Sequence, residues 1–180
     1  MADIHNPYAP PAAAVADITA PKGDAFQPVK IFGVKGRVGR MRYCAYMFAA
    51  NVISQTISAI IGAAVGFGAV AGGVTRAEMS TFSLVIGVIV GLPTLIYYIL
   101  VTIQRGHDLN MSGWTALLTL IPLVVLYWMF APGKPDANRF GAPPPPNSTG
   151  VKVLFWIGIF FVAVAIISIV AAIVIPAMNR

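Results

Sequence analysis

The chain has 180 residues, of which 58% are hydrophobic and only 10% are charged. Soluble domains carry about 25% charged residues because their surfaces face water, so this composition excludes an ordinary soluble protein. The formal net charge of +6 comes from basic residues beside apolar segments, where they act as topology signals and contacts for anionic lipid headgroups rather than for nucleic acid.

Cysteine and histidine are too scarce for a metal centre. The single cysteine, Cys44, cannot form an internal disulfide or a paired-cysteine site. The two histidines, His5 and His107, cannot make a zinc site without help from carboxylates. We therefore expect no metal and no cofactor.

Residues 1–30 are rich in Ala and Pro and show no apolar period, which predicts a disordered tail without a secretory signal. A basic stretch follows, with Lys35, Arg37, Arg40 and Arg42. Five basic residues between Lys30 and Arg42 precede the first apolar segment, so we expect this end of the chain in the cytoplasm.

The first predicted span runs from Tyr43 to Val70, long enough to cross about 30 Å of hydrocarbon. Its polar side chains repeat at i, i+3, i+4 and i+7 and therefore share one helical face: Asn51, Ser54, Gln55 and Ser58. Such a face is typical of packing between membrane helices. The alternative is a polar path for a transported substrate.

The second predicted span covers residues 82–103. Ser83, Gly87 and Gly91 form a small-residue face suited to packing against the first span. Pro93 lies within the span, where it should kink the helix.

The third apolar segment, Trp114 to Phe130, has 17 residues, at the short end of the spanning range. It either crosses the membrane or forms a re-entrant hairpin. Trp114, Tyr127 and Trp128 suit the two membrane interfaces.

The last part of the chain begins with a loop in which Pro143 to Pro146 form a polyproline spacer. The final apolar span covers residues 153–175. We therefore predict an all-α polytopic membrane protein with about four transmembrane helices. Its parts are the tail (1–30), a three-span domain (31–145), and a linker with the fourth helix (146–180).

The two topologies differ in their distribution of positive charge. Four crossings place eight Lys and Arg residues inside and four outside, whereas a hairpin at the third segment places ten inside and two outside. The charge rule favours the hairpin and helix length favours a crossing. We predict four crossings with both termini inside.

A polar cluster is expected at the cytoplasmic surface, where Arg37, Arg40 and Arg105 could pair with Asp108 and where His107 lies. Ser112 can cap the third helix, and Trp114 follows it. We interpret this cluster as a structural clamp or lipid anchor, with partner docking and catalysis as alternatives. Because no Ser or Cys nucleophile stands in a recognisable context, we predict no catalytic residue.

Three motifs together resemble the domain of unknown function 805 family, which consists of small bacterial inner-membrane proteins. They are "GRVGR", with Gly36, Arg37 and Arg40; "RGHDLNMSGW", with Arg105, His107, Asp108, Ser112, Gly113 and Trp114; and "NRFG", with Asn138, Arg139, Phe140 and Gly141. The chain departs from the usual "RRLHD" of the family at Gln104 and Gly106. The resemblance implies a membrane location and no particular activity.

We predict a non-enzymatic accessory or scaffold subunit of a larger membrane assembly, in contact with anionic lipids and with other membrane proteins or its own copies. The chief alternative is a small oligomeric transporter or channel that uses the polar face of the first span. A more distant alternative is an enzyme acting on lipid headgroups through His107 and Asp108.

Overall fold

The computed structural model describes residues 26–178. The regular elements in this range are all helical: α1 (Arg40–Gly72), α2 (Arg76–Asp108), a 3₁₀ helix (Gly113–Leu120), α3 (Pro122–Phe130) and α4 (Thr149–Met178). The predicted all-α class is confirmed.

Three of these helices are long and apolar enough to cross a membrane: α1, α2 and the part of α4 from Thr149 to Ile175. Most of their large apolar side chains are exposed on the outside of the bundle. A helix satisfies its backbone hydrogen bonds internally, as lipid requires, and exposed apolar side chains are compatible with lipid. The chain is an integral membrane protein.

The connection between α1 and α2 is short and defined by its local chemistry. Gly73 ends α1 with a φ of 67°, in the left-handed region that glycine tolerates best. Thr75 and Glu78 then form a capping box, in which the Thr75 hydroxyl accepts from the Glu78 amide and the Glu78 carboxylate accepts from the Thr75 amide. The sequence signal T-x-x-E marks this helix start.

The third apolar segment does not form a spanning helix. The 3₁₀ helix of eight residues ends at Ile121, where Pro122 begins a separate α3 of nine residues. Proline lacks an amide hydrogen and suits the first position of a new helix rather than the middle of an old one. At about 2.0 and 1.5 Å per residue, neither piece reaches across about 30 Å of hydrocarbon.

Both ends of this broken segment lie beside the C-terminal end of α2. A Cβ added to Gly106 of α2 would lie 3.1 Å from the Thr115 hydroxyl oxygen at the start of the segment, so the two backbones are close there. After α3, the Lys134 amide donates to the Asp108 carbonyl oxygen at 3.0 Å. The segment is therefore a hairpin that returns to the end of the bundle where it began, and three helices are long and apolar enough to cross a membrane, close to the predicted number of about four.

The hairpin also changes the direction of the last helix. Arg42, near the start of α1, donates to the carbonyl oxygens of Pro145 and Pro146, both at 2.9 Å. Consequently α1 and α4 begin at the same end of the bundle, and α4 ends at the opposite one. Within the described residues, the segment before α1 and the end of α4 thus lie at opposite ends of the bundle, which does not fit the prediction that both ends of the chain share one side.

Residues 26–30 of the predicted tail form no helix or strand but contact the bundle. The backbone N–H of Gln27 donates to the Pro143 carbonyl oxygen at 3.0 Å, and Val29 packs against buried core residues. Residues 1–25, the remainder of the predicted disordered tail, lie outside the described range.

The buried core is concentrated at the end of the bundle where α1 begins, and consists of Val38, Tyr43, Val101 and Trp128. The predicted interfacial position of Trp128 is wrong, because its side chain is 0% exposed. The small-residue face of α2 does not pack on α1 either: Ser83, Gly87 and Gly91 are exposed. Larger residues such as Val90 fill that contact instead.

Candidate functional site

Three ionised side chains meet at the C-terminal end of α2 and are almost completely buried. Arg37 Nη2 lies 3.1 Å from Asp108 Oδ1, and Arg105 Nη1 lies 2.6 Å from Asp108 Oδ2. Both arginine side chains are 0% exposed, and that of Asp108 is 3% exposed. We call these three residues the arginine–aspartate cluster.

Arg37 comes from the irregular segment before α1 and directs its whole guanidinium inward. Nε and Nη2 donate to Asp108 at 3.2 and 3.1 Å. Nη1 donates to the carbonyl oxygens of Asp136 and Gly141 at 2.8 and 3.1 Å, and Nη2 also donates to that of Lys134. A guanidinium has five N–H donors, so these five contacts leave none for a substrate.

Arg105 lies on the last turn of α2 and joins that helix to the end of the hairpin. Its Nε donates to the carbonyl oxygen of Trp128 at 2.7 Å, and Nη2 donates to that of Ala131. Two arginines share one carboxylate here, which leaves an excess positive charge. Backbone carbonyl oxygens from residues 128–141 face this charge and stabilise it in the buried site.

His107 is held in place by its own contacts. Its Nδ1 lies 3.2 Å from the carbonyl oxygen of Gly36, and its ring stacks on Phe140 with centroids 3.8 Å apart and planes inclined by 11°. A Cβ added to Gly113 would approach Nε2 to 3.4 Å. The imidazole is therefore covered on one face by Phe140 and held at Nδ1 by the Gly36 carbonyl oxygen.

The loop Asn138–Gly141 covers the end of α2. Asn138 and Gly141 exchange two backbone hydrogen bonds, of 3.0 and 2.8 Å, and the Asn138 side chain donates to the His107 carbonyl oxygen at 2.9 Å. Arg139 donates to the carbonyl oxygen of Asn110 at 3.2 Å. The loop thus caps carbonyl groups that the helix end leaves without intrahelical donors.

Two glycines in this region are required by the backbone. Gly36 has a φ of 106° and Gly141 a φ of 113°, values that L-residues with side chains rarely adopt. A Cβ at Gly141 would also approach the Gln27 Oε1 to 2.6 Å. The Gly141 carbonyl oxygen accepts from Arg37 of the cluster, and the Gly36 carbonyl oxygen contacts the neighbouring His107.

Comparison with known families extends over this whole arrangement. Residues 31–142 match the model of the family described as "Protein of unknown function (DUF805)". The chain belongs to the DUF805 family. The matched range includes α1, α2, the hairpin and the loop Asn138–Gly141, and it ends before α4.

Two relatives are similar to this chain to the same degree. The inner membrane protein YhaH of Escherichia coli K12 is 28% identical over 116 residues, which cover 62% of this chain and 87% of YhaH. The YhaH of Escherichia coli O157:H7 gives the same values. No solved structure matches the chain.

The motifs that carried the resemblance to the DUF805 family meet in space. "GRVGR" contributes Arg37, "RGHD" contributes Arg105, His107 and Asp108, and "NRFG" covers them. Segments far apart in sequence are therefore joined around one buried carboxylate, Asp108.

Other residues predicted for the cluster lie outside it. Arg40 is exposed and makes no side-chain hydrogen bond within residues 26–178. Ser112 does not cap the following helix through its hydroxyl; instead its carbonyl oxygen accepts from Thr115. Trp114 is 80% exposed, as suits a ring at a membrane interface.

The polar face of α1 is divided between two surroundings. Asn51 lines a cavity beside α4, and Ser54 lines a second cavity between α1 and α2. Gln55 is exposed and Ser58 half-buried. These side chains do not form one continuous seam within the described part of the chain.

Two buried residues, Gln104 and Trp128, were not predicted from sequence to belong to the site. Gln104 is fully buried, and its Nε2 donates to the carbonyl oxygens of Lys30 and Gly33 at 3.0 and 2.6 Å. Trp128 supplies a carbonyl oxygen to Arg105. The sequence did contain one signal for Gln104, which departs from the family pattern. Its side-chain amide can form hydrogen bonds between α2 and the segment before α1. Among residues 26–178, no three His, Cys, Asp or Glu side chains are grouped to hold a metal ion.

Proposed function

We propose that this protein is a non-enzymatic accessory or scaffold subunit of the bacterial inner membrane, which packs beside a larger membrane assembly through α2. The observation that carries the proposal is the outward small-residue face of that helix. Ser83, Gly87 and Gly91 are exposed, and a Cβ added to either glycine would meet nothing within 4 Å.

This face has the chemistry that membrane helices use to associate. Lipid provides no hydrophobic driving force between helices, so close backbone approach and van der Waals contact decide their packing. Small residues every fourth position permit that approach. Within the described structure no helix occupies this face of α2, which leaves it available to a helix of another protein.

The geometry of the arginine–aspartate cluster supports a scaffold role over an enzymatic one. Arg37 uses all five donors on protein acceptors, and His107 stacks on Phe140 with its Nδ1 against the Gly36 carbonyl oxygen. A catalytic group needs a free position for the reacting atom within hydrogen-bond distance. The cluster instead joins the segment before α1, the end of α2 and the hairpin loop.

The distribution of charge supports a cytoplasmic location for the clustered end. Of the ten Lys and Arg residues in the described range, nine lie at this end and only Arg76 lies at the other. Positive residues remain on the cytoplasmic side of membrane proteins. With this orientation, the segment before α1 is cytoplasmic and α4 ends on the opposite side. The YhaH proteins, named as inner membrane proteins, support the choice of membrane.

The experiment is purification of the tagged chain from native membranes in mild detergent, with mass spectrometry of associated proteins. We expect a defined membrane protein to co-purify with the wild type and to be lost with Gly87→Leu. Gly68→Leu is the matched control, because Gly68 is also exposed on a spanning helix and open to 4 Å. If the associated membrane protein co-purified equally with Gly87→Leu and with Gly68→Leu, packing through α2 would be contradicted.

Two further measurements address the other candidate functions. Ion or solute flux through liposomes that contain only the purified protein would indicate a transporter or channel, with the path along Asn51. Conversion of a lipid headgroup that is abolished by His107→Ala would indicate an enzyme. We expect neither activity.

A further inference from the structure

A groove runs along the outside of the bundle where α1, α3 and α4 meet. Its deeper part is a cavity of about 410 Å³, and an adjoining cavity of about 220 Å³ lies nearer the start of α1. The two lie next to each other, because they share four lining residues: Cys44, Met129, Phe155 and Ile159. The groove is open toward lipid, because Phe161, Val162 and Ala165 of its wall are exposed.

The groove has the length and lining expected for one acyl chain. It follows α4 from Phe155 to Ala165, which is about 15 Å at 1.5 Å per residue. That distance is half of a hydrocarbon core of about 30 Å, and so corresponds to a single leaflet. The wall consists almost entirely of apolar side chains, with Asn51 as its one amide.

The side chain of Arg40 places a positive charge at the outer end of this groove. Arg40 lines the smaller cavity, is exposed, and makes no side-chain hydrogen bond within residues 26–178. By contrast, Arg37, Arg42 and Arg105 all donate to protein acceptors. Lys152 lies three residues before Phe155 and shares its side of α4, which adds a second positive charge near the opening.

We propose that this groove is a binding site for an anionic phospholipid, with one acyl chain between α1, α3 and α4 and the phosphate on Arg40. Among residues 26–178, the end of the bundle that holds Arg40 carries nine Lys and Arg residues against two acidic ones, Asp108 and Asp136, and Asp108 is already paired with Arg37 and Arg105. The charge of the opening thus complements a phosphate, and its apolar floor complements the chain. The lipid lies on a different face from Gly87 and Gly91 and is independent of the partner proposed for α2.

The test measures lipid bound to the purified full chain in detergent by native mass spectrometry. The probes are palmitoyl-oleoyl phosphatidylglycerol and, as the neutral headgroup, palmitoyl-oleoyl phosphatidylcholine. We expect the wild type to prefer phosphatidylglycerol, and Arg40→Gln to weaken its binding about fivefold, while Arg40→Lys retains the preference. Ala165→Phe should weaken both lipids, because it fills the far end of the groove.

Arg76→Gln is the matched control, since Arg76 is an exposed arginine at the opposite end. Equal loss with Arg76→Gln and Arg40→Gln would show general charge attraction and overturn the site. Unchanged phosphatidylglycerol binding by Arg40→Gln, or equal affinity of the wild type for both lipids, would overturn the role of Arg40. If Ala165→Phe changed the oligomeric mass without lipid loss, a protein helix would be the occupant and the proposal would fail. Monodispersity on gel filtration confirms that each variant is folded.

Discussion

Asp108 accepts hydrogen bonds from Arg37, which lies 71 positions earlier in the chain, and from Arg105, one turn earlier on α2. The carboxylate therefore joins a segment that precedes α1 to the helix that follows it. The same two arginines donate to carbonyl oxygens of the hairpin and its loop. One buried anion thus determines how three separate parts of the chain meet at this end of the bundle.

Asp108→Asn should destabilise the protein by about 3–5 kcal/mol, because it leaves two buried guanidinium groups without an anion. The measurement is the free energy of unfolding in mixed micelles with increasing SDS. Asp136→Asn serves as the control: its side chain is exposed, and only its backbone carbonyl contacts Arg37. Equal stability of the two variants would show that the Asp108 ion pairs do not hold the fold together.

Gly133→Ala should also destabilise the protein, by about 1–3 kcal/mol, as overpacking of a buried site does. A Cβ at this position would overlap the Asp108 carboxylate and lie 2.7 Å from its Cγ. Either the loop or the carboxylate must then move, at the expense of the bonds from Arg37 and Arg105. Thermal unfolding in detergent measures the effect. Gly150→Ala, where nothing lies within 4 Å, should leave the midpoint unchanged or slightly raised.

Trp128→Ala should cost about 3–5 kcal/mol, the range for removing a fully buried large aromatic side chain. Trp114→Ala provides a matched comparison, because Trp114 is 80% exposed and its loss should change stability little. The loss of stability with Trp128→Phe should fall between these two values. This variant loses side-chain volume, but it also removes a buried indole N–H that has no partner within residues 26–178. Chemical unfolding monitored by circular dichroism compares the three. A neutral Trp128→Ala would contradict the buried position of this ring.

The re-entrant hairpin predicts which residues share a side of the membrane. In a background without Cys44, single cysteines at Lys35, Ala77 and Ala137 can be labelled with a membrane-impermeant maleimide, since all three positions are exposed. We expect Lys35→Cys and Ala137→Cys to react only from the cytoplasmic side and Ala77→Cys only from the other. If Ala137→Cys instead reacted together with Ala77→Cys, the third segment would cross the membrane.

Local sequence determined the membrane-spanning helices well. The predicted spans 43–70, 82–103 and 153–175 all fall within α1, α2 and α4. The reason is physical: whether about 20 consecutive residues can reside in lipid depends on their own hydropathy and on hydrogen bonds made inside the segment. The motifs that contribute the arginine–aspartate cluster were likewise visible, because buried charged groups require specific residue types.

The third segment shows what hydropathy alone leaves undecided. Residues 114–130 are as apolar as a spanning helix, but their path depends on contacts at both ends, with Gly106 before the segment and Asp108 after it. Local sequence likewise leaves undecided whether Trp128 is buried and whether Arg105 or Arg40 pairs with Asp108. These features arise between residues distant in sequence, so no local pattern encodes them.

The sequence by itself thus determined an all-α membrane protein, three of its four predicted spans and the side chains available for a buried charge cluster, because composition and spacing act within one helix. Only the tertiary structure decided that the third segment turns back, that α1 and α2 leave the Ser83–Gly87–Gly91 face outward, and that one carboxylate takes both arginines. Each of these outcomes depends on which groups meet across the folded bundle, where burial makes an unpaired charge or a poor fit costly.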